Sequence, residues 1–273
     1  LKNAHCPISA EGASLTDPAR QRLAFDELFS HQLSLSIARN KIKRSKGRKN
    51  IATGIIQAKV LSNLPFNFTE DQKLSIRDIL DDLKKPERMN RLLQGDVGSG
   101  KTIVAFMGLV AAVEAGGQGA IMAPTEILAR QHFETLLPFA EKAGVNLNLL
   151  TGRDRGNLRN NKLTDLKEGK TDVIIGTHAL FQSDVIFKDL RFAVVDEQHR
   201  FGVNQRLELG KKGSFVDILI MTATPIPRSL ALAQYGDMDI SIIKQKPPGR
   251  KPINTALISS SRIDEVVDKL TKS

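Results

Sequence analysis

Three glycines, an ammonium and a hydroxyl stand at fixed spacing in Gly95-Asp96-Val97-Gly98-Ser99-Gly100-Lys101-Thr102, which fits G-x-x-x-x-G-K-[ST]. This set suits phosphate binding. Gly95, Gly98 and Gly100 leave the backbone free to take positive φ and to approach an anion with no Cβ in the way. Asp96, Val97 and Ser99 fill the variable positions and add backbone amides to the same cradle. Lys101 is placed to reach β and γ phosphates and Thr102 to offer its hydroxyl to Mg²⁺, while the dipole of a following helix favours negative charge. A turn that merely reverses the chain has no use for Lys101. The expected ligand is ATP or GTP with Mg²⁺.

A second constellation ends the apolar run Val194-Val195 with two carboxylates, Asp196 and Glu197. Open α/β sheets gather their ligands at the carboxyl ends of strands. A solitary acidic pair there would be solvated surface; downstream of a phosphate loop it is the metal-and-water half of a nucleotidase. Asp196 is expected to hold Mg²⁺, directly or through its waters, and Glu197 to polarise the water that attacks the γ phosphate. His178 and His199 do not make a metal pair, because no further ligand spacing accompanies them.

These groups need elements to position them. Residues 91–94 read as a short buried strand and 102–115 as an apolar segment of helical length, so strand, loop and helix come in the required order. Further strands are expected at 119–123, 147–150, 172–175, 192–196 and 218–222, and helices at 126–141, closed by Pro138 and Gly144, at 157–168 and at 203–211. Short apolar runs alternating with amphipathic segments predict an α/β fold, a parallel sheet with crossover helices on its faces. Thr16 or Asp17, followed by Pro18, starts an N-terminal helical extension with Leu23, Phe25, Leu28, Phe29, Leu33 and Ile37 at helical spacing. It runs into Lys41, Lys43, Arg44, Lys46, Arg48 and Lys49, either a solvated helix end or a phosphate-contacting patch. A second apolar segment, 51–64, ends at Pro65. The stretch from Lys244 to Pro252 has the composition of an interdomain linker. The division that follows is 1–65 extension, 66–246 phosphate-binding domain, and 247–273 linker with the first element of a further domain.

The bulk numbers agree. At 273 residues with 41% hydrophobic content, the chain is long enough for a substantial core. Forty Lys and Arg against 30 Asp and Glu leave +10, which favours a polyanionic partner such as nucleic acid. A single cysteine, Cys6, excludes an internal disulfide and fits a reducing cytosol. The longest apolar run, 103–113, is too short to span a bilayer. The chain opens on Leu1, with neither a basic nor an apolar leader, and reads as a piece of a longer protein.

Asp196-Glu197-Gln198-His199 resembles the DExH box of superfamily two helicases, and the other motifs of their first motor domain stand in order. Phe68, Thr69 and Gln72 resemble the adenine-reading element. Ala123-Pro124-Thr125-Glu126 and Gly176-Thr177-His178 resemble two DNA-facing motifs, and Thr222-Ala223-Thr224-Pro225 the segment coupling hydrolysis to strand movement. More narrowly, the phosphate loop, residues 176–181, 196–202 and 222–228 resemble the RecG family of bacterial branch-migration helicases; transcription-repair coupling factors share a related domain. The resemblance covers roughly 66–252. It implies a RecA-like motor domain that binds ATP and Mg²⁺, branched or forked DNA as partner, a bacterial cytosolic and nucleoid-associated setting, and two further domains in cis: a wedge before Leu1 and a second motor domain after Ser273 carrying an arginine finger. Neither a membrane partner nor an oligomer is implied. Turnover by this chain alone is then expected to be slow.

Strand-end residues Thr125, Thr151, Gly152, Thr177 and His178 fit phosphate contacts that set position without reading sequence, with Pro124 in the same loop. Gln198, His199, Arg200, Thr222, Thr224 and Arg228 are the expected coupling residues; for Arg200 and Arg228 a surface ion pair is the rival reading. A kinase or GTPase would need a small acceptor site or Asn-Lys-x-Asp, and the sequence has no Asn-Lys-x-Asp. A bare scaffold has no use for Lys101, Thr102, Asp196 and Glu197 together.

Overall fold

A computed structural model describes residues 6, 17–43, 47–196, 212–213, 215–223, 238–245 and 257–271. Helices α1 (Pro18–Lys43), α2 (Ile55–Ser62) and α3 (Glu70–Leu83) precede an alternating series: β1 (Asn90–Gly95), α4 (Lys101–Glu114), β2 (Gln118–Met122), α5 (Glu126–Ala143), β3 (Leu147–Leu150), α6 (Gly156–Glu168), β4 (Val173–Gly176) and β5 (Leu190–Asp196). Strands β6 (Asp217–Thr222) and β7 (Asp239–Ile243) and helix α7 (Ile263–Thr271) follow. The strands form one parallel sheet in the order β3-β4-β2-β5-β6-β1-β7.

Parallel strands bury both faces, and alternate side chains feed two cores. Leu93, Ile121, Val194, Leu219 and Met221 point to a core shared with Val60, α3, α4 and α5, while Leu92, Ala120, Met122, Val195 and Ile220 join Leu166 of α6, Val185 and Phe187 on the other face. Helix α4 is buried from Ile103 through Ala112, which explains a run that is apolar all round. Gly108 makes this depth possible: a Cβ there would stand 3.0 Å from both Ile79 and Phe192.

Six expected strands and the helices at 102–115, 126–141 and 157–168 are present within two residues of their expected ends. One expectation is corrected. Pro138 does not close α5, which runs through it to Ala143; the proline is exposed, so the carbonyl it leaves unpaired can turn to water, and Gly144 at φ 77° is the C-cap. Helix α3 and the edge strand β7 are additional. The helix expected at 203–211 lies outside the described residues, as does the expected linker at 244–252 from Lys246 onward.

Helix α1 starts where Asp17 caps Ala19 and Arg20, and Phe25, Leu28, Phe29, Leu33 and Ile37 are all exposed along it. Of the expected basic patch, Arg48 is bidentate to Asp189 at 2.9 and 3.1 Å. Residues 47–64 lie on the main body. Asn50 and Val60 are buried, and Glu114 at the end of α4 accepts from the backbone of Gly54 and Ile56, where it caps α2.

Candidate nucleotide site and nucleic-acid rim

Strand β1 is buried from Arg91 to Gly95 and delivers the phosphate loop to the carboxyl edge of the sheet. Gly98 and Gly100 take φ of 75° and 86°. A Cβ on Gly95 would come within 2.6 Å of Ser99 Oγ, and one on Gly100 within 2.4 Å of Gln72 Nε2. Lys101 Nζ donates to the carbonyls of Gly95 at 2.7 Å and Asp96 at 3.0 Å, so the ammonium lies against its own loop. Asp96 and Val97 are exposed, whereas Ser99 is buried with its Oγ lacking a hydrogen-bond partner. An orphaned buried hydroxyl beside positive-φ glycines and an ammonium suits a phosphate group.

Gln72, expected to read adenine, has both ends of its amide engaged. Oε1 accepts from the Thr69 amide at 2.9 Å, Thr69 Oγ1 accepts from the Gln72 amide at 3.3 Å, and Nε2 donates to the Ser99 carbonyl at 2.8 Å. The first pair is a capping box that starts α3; the last bond ties that helix start to the phosphate loop. Phe68 is partly buried on the main core, edge-on to Phe66.

Thr102 lies in the first turn of α4 and Asp196 ends β5, and one imidazole joins them. His132 Nε2 lies 2.7 Å from Asp196 Oδ2, and its Nδ1 lies 3.4 Å from Thr102 Oγ1. A hydroxyl and a carboxylate are the hard oxygen donors that Mg²⁺ takes. Glu197 lies outside the described residues. His132 is absent from the residues selected by motif. Its signal is a titratable residue on the buried stripe Ala129, His132, Leu136, Ala140 and Ala143 of an otherwise amphipathic helix.

The strand order gathers three loops side by side over β3, β4 and β2. They carry Thr151-Gly152, Thr177-His178 and Pro124-Thr125, and Arg153 pairs with Glu126 at 2.9 Å between two of them. Thr151 and Thr177 are buried and the exposed Thr125 uses its hydroxyl to cap α5. The groups this rim offers to solvent include Gly152, Arg153, Arg155 and His178. Thr222, buried at the end of β6, sits between the other two sites: it is level with Gln94 on one side, while its neighbour Met221 is level with Asp196 on the other. Gln198, His199, Arg200, Thr224 and Arg228 lie outside the described residues.

Residues 69–232 match the model of the DEAD/DEAH box helicase family. The chain is 47% identical over 276 residues to the ATP-dependent DNA helicase RecG of Aquifex aeolicus, and 48% over 272 residues to that of Staphylococcus aureus strain MSSA476. Each match covers 99% of this chain but only 35% and 39% of the relative. A solved structure of RecG bound to a three-way DNA junction superposes with a TM-score of 0.83 at 42% identity, over 92% of this chain and 34% of that one.

Proposed function

The chain belongs to the DEAD/DEAH box helicase family, and from that premise we propose that it is the ATP-binding first motor domain of a RecG-type DNA helicase that remodels branched DNA such as forks and Holliday junctions. The observation that carries this reading is the pairing, at one edge of a RecA-like sheet, of the phosphate loop with Asp196 through side-chain hydrogen bonds, beside a separate rim of basic loops. Residues 1–65 form the helical connector, 66–246 the motor domain, and 247–273 the linker and opening of a second motor domain. DNA binds along Pro124, Thr125, Thr151, Gly152, Thr177 and His178, largely through backbone groups and Arg153. The cytosol of a bacterium is the setting this implies; among the described residues no helix is long and apolar enough to cross a membrane.

Lys101 leaves its loop carbonyls for the β and γ phosphates, and the amides of residues 96–102 orient the chain of phosphates. Thr102 and Asp196 would hold Mg²⁺, which would supply positive charge to offset that of the phosphates. Glu197 takes the proton of the attacking water. Thr222, Thr224, Gln198, His199, Arg200 and Arg228 carry the change in nucleotide state toward the DNA rim. The arginine that stabilises the transition state comes from the second motor domain, so this chain alone turns over slowly, short by roughly 10³ to 10⁵.

Titration calorimetry with a non-hydrolysable ATP analogue, with and without Mg²⁺ and again with forked DNA, tests the proposal. Magnesium-dependent binding is expected. Lys101→Ala should weaken it by at least about tenfold, or 1.4 kcal/mol, and Glu197→Gln should keep binding while abolishing residual hydrolysis. Wild-type affinity in Lys101→Ala would refute the site.

A further inference from the structure

We infer that His132 is a positioning residue for the magnesium site, setting the orientation of both of its protein ligands from a single buried imidazole. The inference rests on the reading of Thr102 and Asp196 as the Mg²⁺ ligands. Motif spacing selects those two residues independently of each other, and neither motif includes His132. Yet the two ring nitrogens of His132 are bonded to these same two side chains, at 3.4 and 2.7 Å. Both His132 and Asp196 are buried, at 8% and 7% exposure, so the bond between them is not a solvent-exchanged surface contact, and the bond to Thr102 is partly buried.

The direction of each bond follows from the groups. An ionised carboxylate only accepts, so Nε2 carries the hydrogen that goes to Asp196 Oδ2. That holds the plane of the carboxylate by one oxygen and leaves Oδ1 to a cation or its water. In the neutral tautomer that keeps its hydrogen on Nε2, Nδ1 is an acceptor and the Thr102 hydroxyl supplies the hydrogen. The hydroxyl's lone pairs are then the part of Thr102 available to Mg²⁺. His132 thus turns a hydroxyl and a carboxylate into two oriented oxygen donors held one ring apart. Helix α5 gains a second role: its buried stripe packs the core, while its start forms a loop of the DNA rim through Thr125. An element of that rim therefore reaches the metal ligands directly.

Outer partners of metal ligands typically contribute 10–100-fold in metal affinity. The test uses this chain and a non-hydrolysable ATP analogue, and reads three quantities: analogue affinity in EDTA, the Mg²⁺ concentration that half-saturates the gain in affinity, and the EPR line shape of bound Mn²⁺. Variants His132→Ala and His132→Asn, the latter polar but too short to reach Asp196, should raise the half-saturating Mg²⁺ at least about tenfold. Their EDTA affinity should stay within about twofold of wild type, and their Mn²⁺ spectrum should change. His132→Gln can still present a donor to Asp196 and should recover most of the loss. If the alanine variant does not hold its fold, the asparagine and glutamine pair decides. An unchanged Mg²⁺ requirement in the alanine or asparagine variant, beside a Mg²⁺-dependent wild type, overturns the inference alone. Equal losses with and without Mg²⁺ in all three variants also overturn it, since His132 would then only support the fold. A wild type with no Mg²⁺ dependence defeats the site reading itself.

Discussion

At the scale of single residues, the phosphate loop is a place where one methyl group has nowhere to go. Gly100 sits at φ 86°, and a Cβ there meets Gln72 Nε2 at 2.4 Å, the group that donates to the Ser99 carbonyl. Left-handed backbone costs a residue with a Cβ about 1–2 kcal/mol, and the clash adds loss of the Gln72 bond. Gly100→Ala should therefore lower the melting temperature and reduce analogue affinity at least about tenfold, 1.4 kcal/mol; a variant that binds as wild type would show that the loop does not need this conformation. The loop, Thr102 and Asp196 were legible because their chemistry is tied to short spacings in the chain. The bridging role of His132 was not. It depends on α5 crossing near the ends of two other elements, and nothing in the local sequence encodes that meeting.

At the scale of elements, the connector is joined to the sheet by a buried carboxylate. Asp217 opens β6, where Oδ1 accepts from the Met89 amide at 2.7 Å and Oδ2 from Asn50 Nδ2 at 2.9 Å. Burial pushes its carboxyl up to about 7 even though both donors favour the anion. The unfolded value is about 3.9. Because the folded value is the higher one, this group's contribution is fully present below about pH 4 and is lost as pH rises through about 7. Asn50 Oδ1 is itself buried without a partner, and a turned amide could accept from a protonated Asp217 or from an asparagine there. Asp217→Asn should match wild type near pH 4 and exceed it at pH 8 by a few kcal/mol, since one pKa unit is about 1.4. Melting both proteins at the two pH values checks this; a gap that does not widen with pH refutes it. The strands buried on both faces were readable as short apolar runs. Edge strand β7 pairs, among the described residues, with β1 alone, carries Asp239 and Ser241, and leaves Ile242 partly exposed, so its run is too broken to stand out beside the proline-rich stretch that follows. Helix α3 has a T-x-x-Q capping box and buried Ile76, Ile79 and Leu83, but the same two residues also signal nucleotide contact, and one stretch held both messages. No spacing in the chain reveals the order β3-β4-β2-β5-β6-β1-β7.

At the scale of the molecule, that order separates two tasks along one edge. On the proposed reading, the loops over β3, β4 and β2 serve a polyanion, the phosphate loop after β1 and Asp196 at the end of β5 serve a nucleotide, and β6 lies between β5 and β1 with Thr222 at its end. A net charge of +10 makes phosphate contact the dominant source of DNA affinity, so binding of forked DNA should fall steeply between 50 and 200 mM salt, by about 10³ or more if six phosphates are neutralised. Sites that share an edge need not be coupled, and coupling has a definite measure: the factor by which DNA raises analogue affinity must equal the factor by which the analogue raises DNA affinity. Thr222 is buried and level with Gln94 at the base of the phosphate loop, and its neighbour Met221 is level with Asp196. Thr222→Val keeps the shape and removes the hydroxyl. It should leave each affinity measured alone within about threefold, yet bring a coupling factor of about 5–150 down toward one. If the coupling survives in the valine variant, the signal passes without needing this strand end; if both separate affinities collapse, Thr222 is a support of the fold and carries no signal.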